Sequence, residues 1–221
     1  MEKLSYKNIE YVKRLPENFV PTEKYPLVIY IHGAGGRGRN IDKIYTHPFF
    51  VETEKYLSGA VSVAPQCYAD TWFDIFEQLQ EYIEAMVSLE YVDKSCVYLL
   101  GASMGGYTTW QLAMSHPELF AAIVPICGGG MYWNAGRLKS TAVWAFHGEA
   151  DPTVLCEESK KMVEKINKAG GNARLTVYEG IGHNAWTPTF RDAEVWRWVF
   201  EQRNAYVSDT KNEYDNVKDF G

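Results

Sequence analysis

The sequence predicts an α/β fold with a mostly parallel sheet and helices on both faces. Short apolar runs alternate with amphipathic segments along most of the chain. This alternation is typical of β–α–β crossovers, which connect parallel strands. The 221 residues are 46% hydrophobic and 14% aromatic, enough for one large core. We therefore expect one domain over residues 1–221.

Each element is predicted from its own pattern. "YPLVIYIHG" (25–33) is the first strongly apolar run and predicts a buried strand. Residues 1–24 are predicted to be an N-terminal strand or loop region, and residues 204–221 a polar C-terminal tail. The further predicted strands cover residues 60–66, 96–101, 121–129, 141–148 and 173–180, and the predicted helices cover residues 72–91, 105–116, 157–171 and 191–203.

Composition excludes several classes of protein. The formal net charge is −6 and no Lys/Arg-rich run occurs, so we expect no nucleic-acid partner. No segment reaches about 18 uninterrupted apolar residues, so we expect no membrane span. The first residues contain no apolar stretch of signal-peptide length. The sequence thus favours a cytoplasmic protein, unless the chain is a domain of a longer secreted one.

The four cysteines, Cys67, Cys96, Cys127 and Cys156, form no C-x-x-C pair and lie beside no histidine at metal-ligand spacing. We expect free thiols, no metal and no cofactor. The sequence leaves a Cys127–Cys156 bridge open.

The stretch "GASMG" (101–105) follows a predicted strand and opens a predicted helix. A G-x-S-x-G in that position is typical of a nucleophile elbow, a tight turn that exposes the serine hydroxyl above the sheet. Side chains two residues before and after the serine would collide in such a turn, which explains Gly101 and Gly105. The alternative is a glycine-rich turn with a solvated serine. We predict that Ser103 is a nucleophile.

A serine nucleophile needs a base, which an acid orients. In a sheet with this elbow, the acid and then the histidine follow the serine along the chain. Asp151 follows the strand predicted at 141–148, and His183 follows the strand predicted at 173–180. Glu149 is the alternative acid. His47, His116 and His147 are given no catalytic role.

The glycine-rich stretch "HGAGGRGRN" (32–40) follows the first predicted strand. Its backbone N–H groups can turn toward the serine, so we assign the N–H groups of Ala34 and Met104 to an oxyanion hole. A phosphate-binding loop is the alternative, but the stretch lacks the G-K-[ST] ending of such loops.

Together, "YIHGAGGRG", "VAPQ", "GASMGGYTTW", "PELFAAIVPICGGG", "WAFHGEADPTV" and "YEGIGHNAW" resemble the α/β-hydrolase superfamily. The resemblance covers residues 25–203. It is closer to serine esterases of the feruloyl, acetyl-xylan esterase and polyhydroxybutyrate-depolymerase-like group, of prolyl-oligopeptidase or dienelactone-hydrolase type. It implies an α/β-hydrolase fold and Ser103, Asp151 and His183 as the triad. Dienelactone hydrolases proper carry cysteine at the elbow, so Ser103 departs from them. Peptidase members usually have tyrosine after the serine, so Met104 favours an esterase.

The connection "GGGMYWNAGRLKS" (128–140) is too short for a cap domain, so we expect an open cleft. Trp72, Trp133 and Trp186 fall in loops near predicted strand ends. Tryptophan rings bind sugar rings or aromatic acyl groups through apolar contact. We therefore predict that these three residues bind substrate, with packing in the core or rim as the alternative for each.

The predicted function is hydrolysis of a carboxylic ester through an acyl-enzyme on Ser103. The predicted partner is a small-molecule or oligosaccharide ester, such as an acylated sugar or an aromatic acid ester. One alternative is a small serine peptidase or acyl-peptide hydrolase. A second is a non-catalytic interaction module with this fold. Such a module is expected to lack a triad residue, and all three are present in the sequence.

Overall fold

A computed structural model of the protein describes residues 1–207. Its strands are β1 (Glu2–Tyr6), β2 (Ile9–Arg14), β3 (Tyr25–Ile31), β4 (Val61–Pro65), β5 (Val92–Ala102), β6 (Ala122–Ile126), β7 (Ala142–Gly148) and β8 (Arg174–Tyr178). They form one eight-stranded sheet in the order β1-β2-β4-β3-β5-β6-β7-β8. The β1 and β2 strands run antiparallel to their neighbours, and all other pairs are parallel. The predicted fold is confirmed.

Helices cover both faces of the sheet. They are α1 (Asp42–Tyr45), α2 (Pro48–Glu52), α3 (Phe76–Val87), α4 (Met104–Ser115), α5 (Glu157–Lys168), α6 (Trp186–Arg191) and α7 (Ala193–Glu201). One apolar cluster joins the sheet to α3, α4 and α5, and a second joins it to α1, α2, α6 and α7. Successive side chains of a strand point to opposite faces. Accordingly, Leu99 packs in the first cluster and Leu100 in the second.

Several elements differ from the predictions, and the short helices α1, α2 and α6 were not predicted. The N-terminal region contains a β-hairpin, β1–β2, which extends the sheet at one edge. The β5 strand begins at Val92 rather than residue 96, because Val92 pairs with Tyr25 across a register shift. The helix predicted from residue 72 starts as a 3-10 turn, Trp72–Ile75, capped by Thr71 and Asp74. The α3 helix then begins at Phe76.

The connection from β6 to β7 contains one short 3-10 helix, Tyr132–Leu138. Within the described residues no cap domain is inserted there, as predicted. None of the helices in residues 1–207 has the length and apolar character needed to cross a bilayer. Asn204, in the predicted polar tail, is buried, and its backbone N–H bonds to the Ser95 carbonyl. Residues 208–221 of that tail lie outside the described residues.

Candidate active site

Ser103 lies in a strained turn between β5 and α4. Its backbone φ of 57° and ψ of −120° fall in a region that residues other than glycine rarely adopt. Neighbours enforce the turn. A Cβ on Gly101 would lie 2.3 Å from the carbonyl oxygen of Gly105. A Cβ on Gly105 would lie 2.0 Å from the carbonyl oxygen of Ile31. Both glycines are therefore required by close approach, as the elbow motif predicts.

The structure brings Ser103, His183 and Asp151 together. Parallel strands β5, β7 and β8 end at one edge of the sheet, and each of the three residues follows one of them. Ser103 Oγ lies 2.8 Å from Nε2 of His183. Nδ1 of His183 lies 2.8 Å from Oδ2 of Asp151. The arrangement lets the imidazole take the serine proton while the carboxylate holds its tautomer.

The Asp151 carboxylate is held in the ionised form. It is buried, and its Oδ1 accepts hydrogen bonds from the backbone N–H groups of Thr153 (2.9 Å) and Val154 (3.0 Å). Burial raises the pKa of Asp151, but the hydrogen bonds from His183 and from the two amides outweigh burial and lower it below its usual value. Glu149, the alternative acid, is exposed and accepts from the backbone N–H of Gly180 instead.

A second histidine, His147, contacts Asp151. His147 is fully buried, and its Nε2 lies 2.9 Å from the Val154 carbonyl oxygen and 3.4 Å from Oδ2 of Asp151. A carbonyl only accepts, so Nε2 carries a hydrogen. Nδ1 lies 2.7 Å from the Ser159 hydroxyl. Burial lowers the pKa of His147 more than the Val154 carbonyl and Asp151 raise it, which favours a neutral ring. The sequence predicted no catalytic role for His147, and the structure adds its contact with the acid.

Cys127 lies beneath these residues, directly after β6, with a φ of 41°. Its sulfur and the ligand atoms of Asp151 and His183 all lie within 4.8 Å of one another. Burial raises the pKa of the Cys127 thiol to about 12, so the group stays neutral. A neutral thiol is a poor nucleophile and a poor metal ligand. The four cysteines are free and buried, and Cys127 and Cys156 do not form a bridge.

The backbone at Gly33 lies close to Ser103. A Cβ on Gly33 would lie 3.3 Å from Cβ of Ser103. Ala34 opens the 3-10 turn Ala34–Gly36, and Met104 is the first residue of α4, where helical N–H groups lack intrahelical partners. The assignment of these two N–H groups to an oxyanion hole stays a prediction.

His32 holds this glycine-rich loop in place. Its Nδ1 bonds to the Gly33 carbonyl at 2.5 Å, and its Nε2 accepts the backbone N–H of Cys67 at 3.0 Å. Burial lowers the pKa of His32 to about 4, so the ring is neutral.

A cavity of about 490 Å³ opens over Ser103. Its walls come from the ends of β3 and β5, the glycine loop, the α1–α2 segment and the start of α6. The lining residues are Tyr30, Gly33, Ala34, Gly35, Gly36, Lys43, His47, Pro48, Ala102, Ser103, Thr153, His183 and Trp186. Sequence reasoning missed Tyr30, Lys43, His47 and Pro48, because no motif marks them.

The three predicted substrate-binding tryptophans have different positions. Trp186 lines the cavity, and its ring lies 5.5 Å from that of His183 at an interplanar angle of 87°. Trp72 was predicted wrongly. It is fully buried in the core, and its Nε1 donates to the His32 carbonyl at 3.0 Å, so it supports the loop instead. Trp133 is 71% exposed and is not among the cavity-lining residues. The structure does not bring it to the cavity.

The fold and this site define an α/β-hydrolase with a serine, histidine and aspartate in hydrogen-bonded order. Residues 18–201 match the family model described as "Dienelactone hydrolase family". The chain belongs to that family, and the resemblance seen in the motifs is confirmed.

Named relatives and solved structures agree. The chain is 24% identical over 188 residues to a probable feruloyl esterase C from Aspergillus niger, covering 81% of this chain and 69% of the relative. It matches the crystal structure of a thermostable esterase with a TM-score of 0.83 and 32% identity, covering 91% of this chain and 63% of that one. Est1E from Butyrivibrio proteoclasticus matches with a TM-score of 0.68 and 16% identity, over 90% of this chain and 96% of that one, and shows the fold alone. The chain thus spans about two thirds of the first two proteins.

Proposed function

We propose that this protein hydrolyses carboxylic esters through an acyl-enzyme on Ser103. The observation that carries the proposal is the pair of 2.8 Å contacts that joins Ser103 Oγ to His183 and His183 to Asp151. The serine stands in a strained elbow over a cavity, so a bound ester carbonyl can approach its hydroxyl. The hydrolase family and the esterases among its relatives support this reaction class.

The reaction proceeds in two acyl transfers. Ser103 Oγ forms a bond to the ester carbonyl carbon while its proton passes to Nε2 of His183. The carbonyl oxygen becomes an oxyanion, which the N–H groups of Ala34 and Met104 stabilise. The bond to the alcohol oxygen then breaks, and His183 returns the proton to that oxygen. Water repeats the sequence on the acyl-enzyme, giving the carboxylic acid and free Ser103.

The substrate class we propose is an acylated sugar or an aromatic acid ester. Three features support it: the cavity of about 490 Å³, the Trp186 ring on its wall, and the absence of a cap in the described residues. Aromatic rings bind flat apolar faces, which sugars and aromatic acids both present. Several relatives carry the name feruloyl esterase C. A cytoplasmic location remains a prediction from the sequence.

A substrate panel tests the proposal. Purified protein is assayed with p-nitrophenyl acetate, methyl ferulate, acetylated xylan and a peptide anilide, and Ser103 is labelled with a fluorophosphonate. We expect turnover of esters, little turnover of the anilide, and a mass increase on the Ser103 peptide. A higher kcat/KM on the anilide than on every ester would identify a peptidase. Absence of both turnover and labelling would identify a non-catalytic module.

A further inference from the structure

A second cavity, of about 560 Å³, opens on the other side of the catalytic edge. We call it the aromatic groove, and it is lined by Phe73, Phe76, Tyr107, Gln111, Gly129, Gly130 and Met131. These residues come from the elements that pack on the α3–α4–α5 face of the sheet. The cavity over Ser103 is lined instead by elements of the α1–α2–α6 face. The two cavities share no lining residue.

The groove begins one helical turn from the nucleophile. The backbone N–H of Tyr107 donates to the carbonyl oxygen of Ser103 at 3.0 Å, so the two residues are successive on one side of α4. One turn of an α-helix advances about 5.4 Å. The Tyr107 wall of the groove therefore begins on the same helix as the nucleophile elbow, one turn after Ser103.

Three aromatic rings line the groove, those of Phe73, Phe76 and Tyr107. Phe73 is 49% exposed, and its ring stacks on Phe76 with centroids 6.0 Å apart at 22°. Met131, in the connection from β6 to β7, also lines the groove and is 37% exposed. Large apolar side chains that remain exposed together beside a site favour a ligand that covers them.

One polar group lies among these apolar walls. Gln111 follows Tyr107 by one turn of α4, and among the described residues its side-chain amide has one hydrogen-bond partner, the Ser115 hydroxyl at 3.2 Å. The carbonyl of that amide is therefore available as an acceptor. None of the residues that line the groove carries a charge. Ring faces combined with one amide match a sugar ring, which presents apolar C–H faces and hydroxyl groups together.

We propose that the aromatic groove binds the sugar ring of the alcohol half of an acylated sugar, while the acyl half occupies the cavity with Trp186. This inference rests on the proposed esterase function. The cavity over Ser103 has the buried Tyr30 and the Trp186 ring in its walls and suits an apolar acyl group. The open groove with its amide suits a hydroxylated ring.

Matched esters test the groove. The probes are methyl ferulate and the feruloyl ester of a methyl pentoside, which share an acyl group and differ in the alcohol. We measure kcat/KM for both esters with the unmodified protein and with Phe73→Ala and Gln111→Ala. The ratio of pentoside to methyl ester should fall roughly three- to tenfold in each variant, since a lost ring contact or hydrogen bond weakens only the larger alcohol.

Tyr206→Ala is the control. Tyr206 is 40% exposed, like Phe73, but lies near the amino-terminal end of β5, where Asn204 bonds to Ser95. It should leave the ratio unchanged. Thermal melting confirms that each variant folds. Calorimetry of pentoside-ester binding to Ser103→Ala, with and without Phe73→Ala, adds a readout independent of turnover and should show weaker binding in the double variant.

The outcomes separate the two proposals. If neither ester is hydrolysed and fluorophosphonate does not label Ser103, the proposed function fails. If both esters are hydrolysed but the ratio and the binding stay unchanged in both variants, the sugar subsite is wrong. If Phe73→Ala weakens a phenyl ester of the same acid as strongly as the pentoside ester, and Gln111→Ala changes neither, the groove takes an aryl group and the sugar assignment is overturned.

Discussion

The catalytic edge and the walls around it are built in different ways. At the edge, Ser103, Asp151 and His183 each follow a strand, and hydrogen bonds of 2.8 Å join their side chains. Backbone close approach at Gly101 and Gly105 fixes the elbow. The walls consist of side chains from separate helices and loops, such as Lys43 and His47 on the α1–α2 segment. The triad is thus positioned by strand ends and close backbone approach, whereas the cavity walls are positioned by packing of side chains from helices and loops.

This comparison predicts that the largest losses of activity come from substitutions of the triad residues at the catalytic edge. Ser103→Ala should reduce kcat for p-nitrophenyl acetate on the order of 10⁶-fold, the cost of removing a serine nucleophile from a well-studied protease. The fold should be retained, because the substitution removes only the Ser103 hydroxyl and leaves the surrounding packing unchanged. Activity is measured by release of p-nitrophenol and the fold by circular dichroism. A tenth or more of the original rate in the variant would contradict the assignment of the nucleophile.

The next largest loss of activity should come from substitution of the acid, Asp151. Asp151→Asn should lower kcat by about 10⁴-fold, because an amide in place of the carboxylate presents the wrong tautomer of the imidazole to the serine. Glu149→Gln is the matched control, since Glu149 lies two residues away, is exposed and bonds to Gly180. It should retain nearly the full rate. If Glu149→Gln were the more damaging change, the acid would be misassigned despite the geometry.

How much the sequence predicts follows the same division. The triad was predictable because each member needs a defined residue type directly after a strand, and Gly101 and Gly105 announce the turn. The cavity walls were predictable only in part: Trp186 was predicted, whereas Tyr30, Lys43 and His47 converge only in the folded chain. Trp72 shows the limit. An aromatic residue near a strand end gives no sign from its type alone whether it faces substrate or, as here, packs fully buried.

Fold elements were missed for local reasons. The β1–β2 hairpin turns through Lys7, which takes a φ of 50° without glycine in the turn. The first residues of β5 include Asp93, Lys94 and Ser95, whose polarity hides the strand. The β2 strand also pairs with the distant β4, and Val92 at the start of β5 pairs with Tyr25, so long-range pairing helps to define these segments.

Substitution of His147, which contacts the acid Asp151, should have an intermediate effect on kcat. His147→Leu removes the ring that contacts Asp151 at 3.4 Å and the Val154 carbonyl at 2.9 Å. A misplaced carboxylate should lower kcat by roughly ten- to hundredfold, with a smaller change in KM, since small shifts of catalytic groups are costly. His147→Gln keeps a donor near Nε2 and should recover much of the rate. Equal kcat losses in both variants at equal melting temperature would argue against this positioning role.

His47, on the cavity wall, should make the stability of the fold depend on pH. Burial lowers the pKa of His47 to about 4, below its ordinary value of 6.5, so the folded protein holds the ring neutral. The unfolded chain takes up a proton as pH falls below about 6.5, so this stabilisation is complete above that pH and is lost toward pH 4. The loss from His47 alone between pH 7.5 and 5 should be about 2 kcal/mol.

His47→Asn isolates that contribution. Nδ1 of His47 caps α2 by accepting the Phe49 backbone N–H, and asparagine also caps helices but does not titrate. Urea unfolding at both pH values should show a smaller decrease in unfolding free energy for the variant than for the unmodified protein. His32 remains in both proteins, so part of the decrease should persist in each. Parallel pH curves would show that His47 is protonated equally in the folded and unfolded states.

The smallest effects should come from single rings, and here Trp186 of α6 and Trp133 of the β6–β7 connection can be compared directly. Trp186 lines the cavity beside His183, whereas Trp133 is 71% exposed outside it. Trp186→Ala should lower kcat/KM for methyl ferulate roughly three- to tenfold, the value of a ring contact, and should cost less on p-nitrophenyl acetate, whose acetyl group offers little surface. Trp133→Ala should stay within about twofold on both, as a surface substitution does. Equal losses on both esters in Trp186→Ala would mean that the ring positions His183 rather than binding the acyl group. A loss of activity in Trp133→Ala as large as in Trp186→Ala would show that the acyl-binding surface extends beyond the cavity to Trp133.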